Sequence, residues 1–203
     1  RLALEHKATV MPGRTHGQHA LPMTFGFKLA GWIDELDRDR ERLEGRLTAS
    51  FPACMGGAIG TFAAMGGLGR QVEVRMAEHL GLQPAGLPMR SSYDRASDYI
   101  AALGLMAGTA QKIAQDLVFM QRTEIGEAAE AFHMGKVGSS TMAQKRNPST
   151  ALLLVSLARM LRARVPAALE AMVRMDEGDS SASNVTDTLL PEIAIIATSI
   201  AET

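Results

Sequence analysis

The chain has 203 residues, 46% of them hydrophobic and 21% charged, with 21 Lys and Arg set against 22 Asp and Glu. That length can bury a substantial core, the composition is that of an ordinary soluble domain, and a net charge of -1 gives neither a nucleic acid nor an acidic membrane surface anything to attract. Cys54 stands alone, so no internal disulfide is available, no stretch is apolar and long enough to span a bilayer, and residues 1–7 do not read as a signal peptide. A cytoplasmic protein with no nucleic-acid and no membrane partner is the expectation.

In chain order, residues 1–8 read as the tail of a helix, and Ile200, Ala201, Glu202 and Thr203 fall inside another helical pattern. Neither end carries a cap or a breaker, so residues 1–203 are expected to form a single helical-bundle domain within a longer polypeptide. A polar, glycine-punctuated segment follows at 12–26. From 25 to 47 the spacing predicts a helix with Leu29, Ile33, Leu36, Leu43 and Leu47 on one seam. Its other face, from Asp34 to Arg42, carries opposite charges at helical spacing and reads as solvated. Glycines at 56, 57, 66, 67 and 69 mark breaks. Tyr99, Leu103, Met106, Ala110, Ile113, Leu117 and Met120 then alternate by four and three, the seam of a long bundle helix. Ile100, Leu105, Ala107, Ala114 and Phe119 give that helix apolar surface on other sides, which calls for surrounding helices. A second glycine-bearing loop covers 135–148. The next helix runs from about 148 to 172 with Leu154, Leu157, Leu161 and Ala168 inward, bent or ended early by Pro166. A last helix begins near Leu190 and carries Ile193, Ile196 and Ile200. Strand signals are essentially absent. The fold class predicted is all-α, an elongated bundle of long helices, with apolar faces left over for partner subunits.

Two segments interrupt this helical fabric. Residues 12–26 gather Arg14, Thr15, His16, Gln18, His19 and Thr24 ahead of a helix start, whose free N–H groups suit an anion. On composition alone, polar residues capping a helix explain that segment as well as a site does. Residues 135–148 combine Gly135 and Gly138 with Ser139, Ser140, Lys145 and Asn147. This is a donor-rich loop suited to a carboxylate, with one hydroxyl available as nucleophile or base; a generic flexible loop is the alternative. The 13 methionines sit mostly at helical spacing and read as core filler. His6, His79 and His133 read as surface or packing residues. No cluster has metal-ligand spacing and no Gly-rich strand–helix turn is present, so no cofactor and no metal are expected.

The run Gly138-Ser139-Ser140-Thr141-Met142-Ala143-Gln144-Lys145-Arg146-Asn147-Pro148 closely resembles the signature loop of the fumarase/aspartase superfamily, Gly-Ser-Ser-x-Met-Pro-x-Lys-x-Asn-Pro, departing only at Ala143. Thr15-His16, with Ala20, Pro22 and Thr24, resembles the family's Thr-His motif. The resemblance covers the whole chain but only the central helical part of a family subunit. It implies a homotetramer whose central helices form one bundle and whose active sites are shared between subunits. It also implies a small carboxylate substrate that loses a proton from Cβ, forms an enolate-like dianion and expels a leaving group. Ser139 matches the catalytic base, and Lys145 supplies the positive field that a serine alkoxide needs. Lys145 and Asn147 match the carboxylate-holding pair, and Ser140 falls with them in the substrate-binding set. His16 matches the histidine linked to protonating the leaving group, and Thr15 would hold a substrate oxygen. Arg95 lies where relatives orient substrate, and His19 is a further contact candidate.

The surroundings of both motifs are similar to two branches, adenylosuccinate lyases and 3-carboxy-cis,cis-muconate cycloisomerases. Where the former hold a nucleotide phosphate with arginines and a histidine, this chain has Gly178, Asp187 and Ala182. Two lost cations would cost roughly 1.5–3 kcal/mol for each charged hydrogen bond. Many family members also carry a glutamate at the position of Leu152, which the muconate branch tends to lack. Both departures favour a cycloisomerase-like or other non-nucleotide lyase. A non-catalytic oligomeric scaffold is the competing class, against which Ser139, Lys145, Asn147 and His16 all speak.

Overall fold

In the computed structural model, residues 1–131, 139, 141, 142, 144–178 and 183–203 are described, with the backbone alone for 183 and 184. Gly135, Gly138, Ser140 and Ala143, singled out above, lie outside the described residues, as do His133 and Ala182. The chain divides into two compact units, Arg1–Glu41 and Arg42–Thr203, each described here by itself.

The first unit corrects the expectation that strands are absent. After a one-turn helix α1 (Leu2–Glu5), β1 (Val10–Thr15) and β2 (Gln18–Thr24) pair antiparallel, Met11 opposite Met23 and Thr15 opposite Gln18. Prolines occupy both strands and face each other, Pro12 opposite Pro22. A two-stranded ribbon tolerates this because each strand is an edge and a missing N–H breaks no inner ladder. The register shifts between Pro12 and Arg14, at Gly13, where a Cβ would lie 2.7 Å from the Leu21 carbonyl oxygen. That is a bulge only glycine fits.

Helix α2 (Phe25–Ser50) follows without a linker, the Thr24 hydroxyl accepting the Phe27 N–H at 3.2 Å as an N-cap. Gly26 donates its N–H to the His6 carbonyl (2.9 Å), and its missing Cβ is what admits the chain there: a methyl group would sit 2.5 Å from the Ala3 oxygen and 2.7 Å from Lys7 Cα. His6 packs edge-on against Phe25, as its reading as a packing residue requires. Of the predicted α2 seam, Leu29 is buried, but Ile33, Leu36 and Leu47 stay exposed within the chain. The charged face is solvated as expected, with Arg38 paired to Asp34 and Arg40 to Asp37, except for Asp39, which is buried.

The second unit holds the core. A short 3-10 turn (Gly66–Leu68) leads into α3 (Gly69–Leu80), which the glycine breaks had concealed; Gly81 closes it in the left-handed conformation. Glu73 of α3 is fully buried, paired with Arg70 and accepting the Met55 N–H, and so ties α3 to the segment where Ala53 bridges Pro84. Helix α4 (Asp94–Met120) is the central rod. Ala107 and Ala114 are completely buried on it, and Gly104 lies so near Val165 that a Cβ would meet the valine methyl at 2.6 Å. Small residues in this row let α5 (Ser149–Arg162) and α6 (Val165–Glu170) approach closely. Pro166 falls in the first turn of α6, so the predicted long helix ends early, as expected. Leu161 and Ala168 from these helices join Ile100 and Leu103 in the main cluster. Ser97, also buried, donates to the Ala168 carbonyl at 2.6 Å.

Helix α7 spans Ser183–Glu202 and so begins a turn or more before the predicted start, with Pro191 inside it. Its Ile193, Ile196 and Ile200 are buried as predicted. The architecture is the all-α bundle the periodicity called for, with one β-ribbon attached. Among the described residues no helix is long and apolar enough to cross a membrane.

Candidate active site

The Thr-His motif forms the tip of the β-ribbon. Thr15 and Gln18 close a two-residue turn whose central residues, His16 and Gly17, both have positive φ, 53° and 76°. This is the turn geometry whose twist matches that of the strands it joins. It leaves His16 in a left-handed conformation that a residue with a Cβ adopts reluctantly, and such residues persist most often at functional sites. Thr15, His16 and His19 are all exposed. Seven residues of β2 place the tip roughly 20 Å along the ribbon from the start of α2.

In the second unit Ser139, Lys145 and Asn147 share the connection between α4 and α5. The Ser139 oxygen accepts two backbone N–H groups, from Thr141 at 3.3 Å and Met142 at 3.2 Å, with the Thr141 hydroxyl at 3.5 Å. Lys145 N–H donates to the Met142 carbonyl (3.1 Å), and Ser149 N–H donates to the Asn147 carbonyl (2.9 Å). Lys145 is exposed, while Ser139 and Asn147 are half-buried. Two amides converging on a hydroxyl oxygen stabilise negative charge there, the requirement for a serine that must act as a base.

Arg95 does not join this group. It sits in the first turn of α4, whereas Gln121, just past the last turn, donates to the Arg146 carbonyl. Twenty-seven residues of helix separate the two ends by roughly 40 Å, so within one chain Arg95 and the signature loop cannot reach the same small molecule. Arg95 instead lines a cleft of about 980 Å³ with Cys54, Met89, Arg90, Tyr93 and Leu190. Burial and then the Glu73 carboxylate push the Cys54 thiol pKa up, against an opposing pull from Arg90 and Arg95. Arg90 was not marked in the sequence and Cys54 only as a lone thiol, nor were Gln121, which holds the Arg146 carbonyl, and Glu130, which caps α5. No local pattern points to any of them.

The family model described as "Lyase" matches residues 1–163, and the chain belongs to this lyase family of the fumarase/aspartase superfamily. It is 42% identical over 195 residues to the N-acetyl-S-(2-succino)cysteine lyase of Dickeya dadantii, covering 96% of this chain and 43% of that protein. It is 43% identical over 197 residues to the adenylosuccinate lyase of Methanothermobacter thermautotrophicus, covering 96% and 44% respectively. Among solved structures, the 3-carboxy-cis,cis-muconate lactonizing enzyme of Pseudomonas putida superposes with a TM-score of 0.91 at 34% identity, over 99% of this chain and 45% of that one. The chain thus spans less than half the length of the relatives it matches.

Proposed function

We propose that the full-length protein is a lyase that makes or breaks a bond beside a carboxylate of a small, non-nucleotide substrate through an enolate-like intermediate. The observation that carries this reading is the Ser139 oxygen with the Thr141 and Met142 N–H groups directed at it. Ser139 takes the proton from carbon, and Lys145 and Asn147 hold the neighbouring carboxylate as its negative charge grows. His16 delivers a proton to the departing group; Thr15, Ser140, His19 and Arg95 contact the rest of the substrate.

The placement of Arg95 and the signature loop at opposite ends of α4 favours sites assembled from different chains, as in a homotetramer. The exposed Leu105, Leu153 and Ile195 offer apolar surface for that assembly. Addition of a carboxylate to a double bond, as in a carboxymuconate cycloisomerase, is the finer reading, supported by Leu152 and by the 0.91 superposition. Release of fumarate from a succinylated thioether is the second, favoured by a 42% identical relative whose name describes such a substrate. Gly178 and Asp187 weigh against a nucleotide substrate.

The test is ultraviolet absorbance with full-length protein and a panel of carboxymuconate, N-acetyl-S-(2-succino)cysteine and adenylosuccinate. One of the first two should be turned over, and Ser139→Ala should lower that rate roughly 10²- to 10⁴-fold. An unaltered rate in Ser139→Ala overturns the reading, and a well-folded protein inert toward all three points to the scaffold.

A further inference from the structure

The first turn of α5 leaves backbone N–H groups without helical partners, at the helix end where aligned peptide dipoles favour negative charge. In this chain a carboxylate already fills that position. Glu130 Oε2 accepts the Thr150 N–H at 3.2 Å and Oε1 accepts the Ala151 N–H at 2.8 Å. Glu130 is itself held from behind, because its own N–H donates to Gln121 Oε1 at 2.9 Å. The same Gln121 donates from Nε2 to the Arg146 carbonyl at 3.1 Å. The segment from Lys145 to Asn147 is therefore gripped on both sides, at Arg146 by an amide rooted on the end of α4 and at the head of α5 by a charged cap.

We propose, resting on the reaction assigned above, that Glu130 and Gln121 are positioning residues that fix the Lys145–Asn147 backbone so that these two side chains face the substrate carboxylate. Glu130 has a second effect. By occupying the amides of α5 it removes the competing anion site next to Asn147, so the substrate carboxylate docks on Lys145 and Asn147 and not one turn further on. Its two hydrogen bonds set a carboxylate at the end of α5 that the helix dipole favours for an anion, and small displacements of a substrate-holding group are costly to rate.

The experiment uses the full-length protein. Glu130→Ala is expected to lower kcat/KM roughly ten- to a hundredfold, KM rising more than kcat falls, because carboxylate holding operates in the ground state as well. Added formate, small enough to refill the vacated cap, should restore part of the loss in Glu130→Ala while giving no gain in wild type. Gln121→Ala, which keeps the cap but cuts the strut to Arg146, should lose activity without recovery by formate. Should Glu130→Ala not fold, Glu130→Gln serves in its place, with a smaller loss of the same kind. Turnover by Glu130→Ala within about twofold of wild type, or a loss that formate leaves untouched, overturns the proposal. If wild type turns over nothing, the assigned reaction fails, and amide hydrogen exchange judges the clamp: unchanged protection at Thr150 and Ala151 in Glu130→Ala refutes it.

Discussion

His16 carries two demands that a single substitution series can separate. Its backbone sits at φ 53° in a turn whose other central residue, Gly17, is at 76°. For a residue with a Cβ, left-handed backbone costs roughly 1–2 kcal/mol, towards the lower figure for His and least for Asn, whose short side chain tolerates it. Asn also spares the extra chain entropy that a second glycine adds to the unfolded state, roughly 0.5–1 kcal/mol. His16→Asn is therefore expected to match or exceed wild type in stability, by roughly a few tenths of a kcal/mol, read as an equal or slightly higher thermal midpoint. His16→Val, β-branched in the same conformation, should lose on the order of 2 kcal/mol or more. Turnover should run the other way: Asn cannot return a proton to a leaving group, so kcat should fall roughly 10²- to 10⁴-fold in the more stable variant. Melting of the full-length protein and its turnover on the same preparations decide the matter. A His16→Val protein as stable as wild type would refute the turn geometry, and full activity in His16→Asn would refute the catalytic assignment.

Three further outcomes follow from the packing. Gly26→Ala drives a methyl group into backbone atoms of residues 3 and 7, and should cost at least about 2 kcal/mol, read as a lowered melting point. Leu161→Ala empties a site with 0% exposure in the main cluster and should cost about 2–5 kcal/mol in chemical denaturation, against less than about 1 kcal/mol for Leu80→Ala at the exposed end of α3. Cys54 should react with iodoacetamide more slowly than a free thiol near neutral pH. Its raised pKa leaves less thiolate there, so the rate should keep climbing above the pH at which an ordinary cysteine levels off. Cys54 is exposed, so a probe can reach it, and a rate equal to that of a small free thiol would contradict the raised pKa.

The long helices were legible because each states its period many times over. Leu103, Ala110, Met120, Ile193, Ile196 and Ile200 are buried where their spacing put them. The ribbon was not legible, because Pro12, Gly13, Gly17 and Pro22 are the residues that argue against strands in a wide sheet. In a pair of edges those objections lapse. The early start of α7 was hidden by Pro191, which looks like a first-turn proline yet lies inside the helix. The α2 seam was read from its pattern, but Ile33, Leu36 and Leu47 stay about half exposed among the described residues, and a pattern alone does not say whether its partner lies in the same polypeptide. At the candidate site the residue types could be read from the motif. What surrounds them could not: the amides that meet Ser139 depend on the path of the loop, and Glu130 caps a helix that begins 19 residues later.

The unbroken run of α4 also limits how this part of the molecule can vary in length. One added residue would advance everything beyond it by about 1.5 Å and swing it through about 100°, carrying Gln121 away from the Arg146 carbonyl. Seven added residues bring the helix back to within about 20° of its starting orientation. Natural or engineered size variants of this rod should therefore appear in steps of seven, with both of its ends preserved as fixed fittings.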